Sequence, residues 1–380
     1  MLSILDVAER AMKGPKLDEK VWDLSLFKKM TELTKRHELK HPGDGSFFNL
    51  DDGLVERAFR AGVDFLVEQG VYCLSTNRVV QFTEKEVLDA IKEAPKQITV
   101  GEGRDARVLS QKKVEGNEPL NHWPAHHAPF GEDMAPLAVM NFARLPYVDY
   151  LQGFSFTKVD GREIYGVTME AYAARRQLSW MREGIRKAGR PGMAIAYYPI
   201  SLRGAALLAP MDPDYGLRRT DGVLLGMLPD VKIELDVLTA ALILCQEYGC
   251  FNQCSGTTLM GGFCGGVEGA VIEGIAKPIA GWMCYKGCPS TTGLVHVLGP
   301  TGRKIVVRPE LSWGTSVIHQ ALNTKTNIIC SQGAGSAAAP GTYEHLIDRA
   351  MVAMRNAIDG ANMAITRQIP PRPNAAQTPV

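Results

Sequence analysis

Gly189-Arg-Pro-Gly-Met-Ala-Ile-Ala-Tyr-Tyr-Pro199 decides how the chain is read. Its first four residues supply a turn, the next ones a short apolar strand, and Tyr197, Tyr198 and Pro199 an aromatic exit. Residues 167–188 just before it carry apolar positions at helical spacing, so the segment is a strand that follows a helix.

Outward from this segment the same alternation repeats. Brief apolar runs at 148–156, 192–200, 231–233, 263–267, 293–298 and 327–330 are separated by helical stretches at 167–188, 234–248, 266–283 and 312–323. Repeated βα units bury a parallel sheet. No Gly-x-Gly-x-x-Gly follows the first strand, which disfavours an open nucleotide-binding sheet. The rhythm predicts a closed (β/α)8 TIM barrel with additional N-terminal helices, whose active-site groups sit at the C-terminal ends of the strands.

Upstream of the barrel, residues 2–37 alternate charged and apolar positions until His41-Pro-Gly-Asp-Gly45 breaks the pattern. Residues 54–69 read as a helix, and 71–73 and 78–82 as short strands. Thr83-Glu-Lys-Glu86 is a capping box that opens another helix. The expected organisation is a helical segment over 1–95 packed on the barrel, a catalytic barrel over 96–366, and an extended Pro-rich tail over 367–380.

Composition excludes several function classes. Lys plus Arg total 42 against 41 Asp plus Glu, so no basic excess exists to neutralise a nucleic-acid backbone. Hydrophobic residues at 45% and charged residues at 22% suit a folded globular chain. No apolar run approaches the ~20 residues that cross a bilayer, and the first 20 residues carry no signal pattern, so a cytoplasmic protein is expected. Cys245, Cys250, Cys254, Cys264, Cys284 and Cys288 fall within 44 residues without a Cys-x-x-Cys pair, so buried thiols and no bound metal are expected.

Four segments can carry chemistry. Gly101-Glu-Gly-Arg-Asp-Ala106 puts Arg104 and Asp105 at a loop tip, where a simple ion pair accounts for them as well as a functional role does. His122-Trp-Pro-Ala-His-His127 is rich in ligand types, yet adjacent His side chains diverge; a substrate-facing loop with His127 in the pocket is the better reading. Gly261-Gly-Phe-Cys-Gly-Gly-Val-Glu-Gly269 lets backbone approach a ligand, and Glu268 then either faces the active site or complements a helix N-terminus. Tyr197 and Tyr198 either line an apolar pocket, cage a methylated cation, or pack.

Gly70-Val-Tyr-Cys-Leu-Ser-Thr-Asn-Arg-Val-Val-Gln-Phe-Thr-Glu-Lys-Glu86, Gly101-Glu-Gly-Arg-Asp-Ala106, Ala188-Gly-Arg-Pro-Gly-Met193 and Gly261-Gly-Phe-Cys-Gly-Gly-Val-Glu268 together resemble, in order, the monomethylamine methyltransferase family of methylotrophic methanogens. The resemblance implies a TIM barrel that demethylates a methylamine and passes the methyl group to Co(I) of a separate corrinoid protein docked over the barrel mouth. It implies a homo-oligomer that binds no cofactor tightly itself. It makes Glu268 an active-site carboxylate and aligns Arg104 and Asp105 with a shared loop.

Ala196 aligns with the position where the family carries pyrrolysine, whose imine captures the amine, and Tyr197-Tyr-Pro-Ile200 replaces the family's Gly-Pro-Glu-Thr. The chain thus resembles a pyrrolysine-free branch, with Ala196, Tyr197, Tyr198, Gln332 and His127 as pocket residues. The expected activity is transfer of a methyl group from a small N-methyl compound other than free monomethylamine to Co(I). Two alternatives stay open: a metal- or acid-assisted hydrolase or lyase using His126 or His127 with Glu132, and a non-catalytic ligand-binding descendant.

Overall fold

A computed structural model describes residues 2–125, 131–212, 214–298, 303–305, 307–333, 336, 338 and 342–367. Four helices come first: α1 (Ile4–Lys13), α2 (Glu19–Arg36), α3 (Asp52–Glu68) and α4 (Glu84–Glu93). Ser3 with Asp6, and Thr83 with Glu86, form reciprocal capping boxes that satisfy the free N–H groups opening α1 and α4. One face of α2 buries Trp22, Leu26, Met30 and Leu33, a spacing of three to four residues. Val71–Cys73 pairs antiparallel with Arg78–Val80 and parallel with Lys232–Ile233. The strand expected near 231–233 therefore exists, but lies outside the barrel.

Eight strands make one sheet: β1 (His122–Ala125), β2 (Tyr150–Gln152), β3 (Ala194–Tyr197), β4 (Gly222–Val223), β5 (Phe251–Ser255), β6 (Gly287–Thr291), β7 (Cys330–Gly333) and β8 (Asn362–Arg367). From β2 to β8 each strand pairs parallel with its sequence neighbour, and β8 returns to pair with β1. The Asp149 N–H donates to the His122 carbonyl at 2.9 Å where β2 begins, which joins the remaining edge. The result is a (β/α)8 TIM barrel.

Its outer layer includes α5 (Ala135–Ala143), α6 (Gly166–Lys187), α7 (Gly204–Leu208), α8 (Leu235–Ala240, continued by a π-helical stretch Ala241–Tyr248), α9 (Val267–Tyr285), α10 (Pro309–Lys325) and α11 (Tyr343–Asp359). Helices α1 to α4 pack on α9, and α3 also on α10. At Gly62 a Cβ would lie 2.7 Å from Ile275 Cγ2, so glycine lets α3 approach α9.

The N-terminal end of the barrel is closed by a hairpin, Gln97–Val100 with Arg107–Ser110. Its Val100 and Leu109 join Trp123, Tyr150, Ala194, Ala196, Cys288, Ile329 and Ala364 in one buried interior cluster. The opposite, C-terminal end is the mouth. No helix among the described residues is long and apolar enough to cross a membrane.

Several expected elements moved. Residues 263–267 form no strand and instead lead into α9, and Leu294–Leu298 belongs to a separate three-stranded sheet with Thr258–Leu259 and Arg303–Ile305. The true barrel strands β1, β4, β5, β6 and β8 are not apolar runs, and His122–Ala125, expected as a loop, is a strand. Phe251-Asn-Gln-Cys-Ser255 and Gly287-Cys-Pro-Ser-Thr291 are polar because the barrel interior holds a hydrogen-bonded layer, described next.

Candidate active site at the barrel mouth

Strand alternation points Tyr150, Gln253, Thr291 and Ser331 inward. Tyr150 Oη donates to Gln253 Oε1 at 2.9 Å, Gln253 Nε2 donates to Thr291 Oγ1 at 3.4 Å, and Ser331 Oγ donates to Thr291 Oγ1 at 3.4 Å. Burial pushes the Tyr150 hydroxyl well above its ordinary value, so it stays a donor. The Trp123 ring stacks on Tyr150 with centroids 5.1 Å apart, and Phe251 meets Tyr150 edge-on.

One pleat nearer the mouth, Gln152 of β2 is in register with Ala196 of β3. Ala196 and Tyr150 both belong to the interior cluster, so the Gln152 side chain shares that interior. Gln152 is 3% exposed, and neither amide atom has a hydrogen-bond partner; buried Trp123 Nε1 also has none.

Ala196 lines the barrel interior. Tyr197 does not, and this corrects the expected pocket. It points outward into the core between barrel and helices, where its Oη donates to the Ala206 carbonyl at 3.1 Å and accepts from the Ile200 N–H at 3.3 Å. An aromatic cage built on both tyrosines is therefore absent.

Tyr198, half-buried at the strand exit, donates its backbone N–H to Gln177 Oε1 at 3.2 Å. Gly153 permits this geometry, because a Cβ there would lie 2.7 Å from Tyr198 N.

Glu268 occupies the first turn of α9 and is half-buried. Its Oε1 accepts the His41 N–H at 3.0 Å, and the His41 ring meets Trp313 edge-on at 4.8 Å. The carboxylate thereby links the segment after α2 to the start of α9. Gln332 lies at the mouth end of β7, buried, with both amide atoms unpartnered. Alternation from inward Ile329 turns Gln332 toward α10, beside Thr315 and Gly293, and away from the barrel axis.

The 101–106 loop, whose role the sequence leaves open, sits at the closed end of the barrel. Arg104 Nη2 donates to the Gly189 carbonyl at 2.6 Å, and Asp105 accepts the Gly192 N–H at 3.0 Å beside Arg190 at 3.5 Å. Both tie the closing hairpin to the turn before β3. His126 and His127 fall outside the described residues. Glu132, their expected partner, accepts the N–H groups of Asp160 and Gly161 at 2.9 and 3.1 Å.

The cysteines are free thiols. Burial pushes Cys250, Cys254 and Cys288 up to about 12, so they remain protonated near neutral pH. Among the described residues no three His, Cys, Asp or Glu side chains converge as a metal site. Exposed apolar side chains stand at the mouth end of several βα units: Tyr165 and Val167 before and on α6, Leu202 before α7, Leu259 and Phe263 before α9, and Tyr343 on α11.

The model of the monomethylamine methyltransferase MtmB family matches residues 2–367. A curated monomethylamine methyltransferase, MtmB2 of Methanosarcina acetivorans, is 26% identical over 361 residues, covering 93% of this chain and 76% of that protein. MtmB of Methanosarcina mazei is 29% identical over 295 residues, covering 77% of this chain and only 64% of its relative. The crystal structure of the Methanosarcina barkeri monomethylamine methyltransferase superposes with a TM-score of 0.88 over 97% of this chain at 24% identity, and covers 79% of that chain. The structural likeness bears on the fold.

Proposed function

The chain belongs to the monomethylamine methyltransferase family, and on that premise we propose that it moves a methyl group from a small N-methyl compound, other than free monomethylamine, to Co(I) of a separate corrinoid protein. The family match over residues 2–367 supports the methyl-transfer part of this reading, and Ala196 at the position that aligns with pyrrolysine supports a donor other than monomethylamine. Because the methyl acceptor arrives on a partner, this chain has only to hold the donor beneath a mouth that another protein can cover. The exposed apolar residues Tyr165, Leu202, Phe263 and Tyr343 on that face suit such docking.

Heterolysis of the C–N bond leaves its electron pair on nitrogen, so that nitrogen must be protonated or otherwise cationic before the methyl group departs. Glu268 is the carboxylate assigned to this proton. Ala196 offers only a methyl group at the interior position that aligns with the family's pyrrolysine, so no imine captures a primary amine there. Tyr198 borders the pocket at the exit of β3, and the chain works as a homo-oligomer.

The test is methylation of a Co(I) corrinoid protein, followed by its absorbance, across methylated amines and N-methylated acids. Turnover of an N-methyl compound without turnover of monomethylamine is expected. Robust turnover of monomethylamine defeats the proposal.

A further inference from the structure

Gln152 is a polar side chain facing the barrel interior that the fold leaves unused. It is 3% exposed, and both Oε1 and Nε2 lack a partner. An amide buried in that state costs free energy at both atoms. The neighbouring interior polar groups do not relieve it, since Tyr150, Gln253, Thr291 and Ser331 bond among themselves one pleat deeper. Across the strand pair stands Ala196, whose side chain ends at Cβ and leaves the amide uncovered from that direction. Trp123 Nε1, buried in the same interior, is a second N–H without a partner.

The unused groups number two kinds of donor, Gln152 Nε2–H and Trp123 Nε1–H, and one acceptor, Gln152 Oε1. A ligand that satisfies them carries an acceptor as well as an N–H. The polar side chains bonded beside Gln152 are hydroxyls and an amide, those of Tyr150, Gln253, Thr291 and Ser331. Methylammonium offers only donors, so it leaves Gln152 Nε2–H and Trp123 Nε1–H without an acceptor.

We propose that Gln152 is a specificity-determining residue that selects an N-methylated amino acid. The ligand's ammonium N–H donates to Oε1, and its carboxylate accepts from Nε2–H and from Trp123 Nε1–H. Such a zwitterion is net neutral and presents the cationic N-methyl group that transfer requires. This rests on the proposed methyl-transfer reading and names the donor class for it.

The experiment is calorimetric titration of the full chain, without any corrinoid protein, using N-methylglycine and methylammonium chloride as probes. Wild type is expected to bind N-methylglycine and to bind methylammonium at least about tenfold more weakly. Gln152→Leu should lose at least about tenfold in N-methylglycine affinity. It should melt no lower than wild type without ligand, since it removes an unsatisfied amide from the interior. Gln152→Glu should invert the preference, because a carboxylate repels the ligand's carboxylate and pairs with methylammonium.

Equal affinity of wild type for both probes, unchanged affinity in Gln152→Leu, or no binding of N-methylglycine overturns the proposal. So does a lower melting temperature of Gln152→Leu, which would mean that the fold itself uses the amide. Binding of N-methylglycine without cobalt methylation would defeat the transfer reading alone. Cobalt methylation from another donor without N-methylglycine binding would defeat this one alone.

Discussion

The fully buried carboxylate of Asp221 ties Arg182 on α6 to the first turns of the barrel. It accepts from Arg182 Nη2, from the Arg218 N–H at 2.7 Å, and from the Ile195 N–H of β3 at 2.9 Å. The Arg182 side chain is 11% exposed, so removing its partner leaves a cation with little water to receive it. Asp221→Ala is expected to lower stability by about 3 to 5 kcal/mol. Chemical denaturation of the variant measures it, and a loss under about 1 kcal/mol would contradict a buried charge pair.

Tyr197 and Tyr198 are adjacent in sequence and opposite in orientation. Tyr197→Phe removes a hydroxyl that bonds Ala206 and Ile200 outside the barrel, so about 1 kcal/mol of stability should go while methyl transfer persists. Tyr198→Ala should depress transfer with little change in melting temperature, because its side chain is half-buried at the mouth. Thermal melts and cobalt-methylation rates on the two variants would separate these roles.

How much of this was legible in the sequence depends on which face a residue serves. Helices α3, α4, α6, α9 and α10 announced themselves through apolar periodicity and, at Thr83, a capping box. Strand β3 did so because Ala194-Ile-Ala-Tyr197 is apolar on both faces. Strand β5 did not: Gln253 inside and Asn252, which bonds the Leu225 N–H and the Tyr285 carbonyl, make it look like a loop. Gln152 was missed for the same reason, since a lone Gln after Tyr150-Leu has no signal until register places it beside Ala196. Parity also explains Tyr197, because a single sequence does not reveal which of two neighbouring tyrosines faces the axis.

Asp359 gives a pH signature. Burial raises its pKa from 3.8 to about 6, against the opposing pull of hydrogen bonds from Ser316 and Gln320 and of Arg355. A carboxyl raised in the folded state stabilises fully below its unfolded value, and that contribution is lost as pH rises through the folded value. Between pH about 4 and about 6, stability should therefore fall by up to about 3 kcal/mol from this group. Asp359→Asn should flatten that part of the profile. Urea midpoints at pH 4.5, 5.5 and 6.5 for both proteins provide the check, and superimposable slopes would contradict the assignment.

Glu268 holds two candidate jobs that one substitution separates. Its Oε1 accepts the His41 N–H, a structural task that the amide oxygen of Gln performs almost as well. Its negative charge also complements the N-terminus of α9, a contribution of about 0.3 to 1 kcal/mol. Glu268→Gln should thus cost no more than about 1 kcal/mol in stability if anchoring and helix charge are its only tasks. Proton handling is different in kind, because an amide neither takes up nor releases a proton near neutral pH. If Glu268 manages the proton on the departing nitrogen, kcat for methyl transfer should fall by about 100-fold or more, with a far smaller change in KM. Unchanged kcat with a true methyl donor would leave Glu268 as the anchor of the His41 segment and remove it from the reaction.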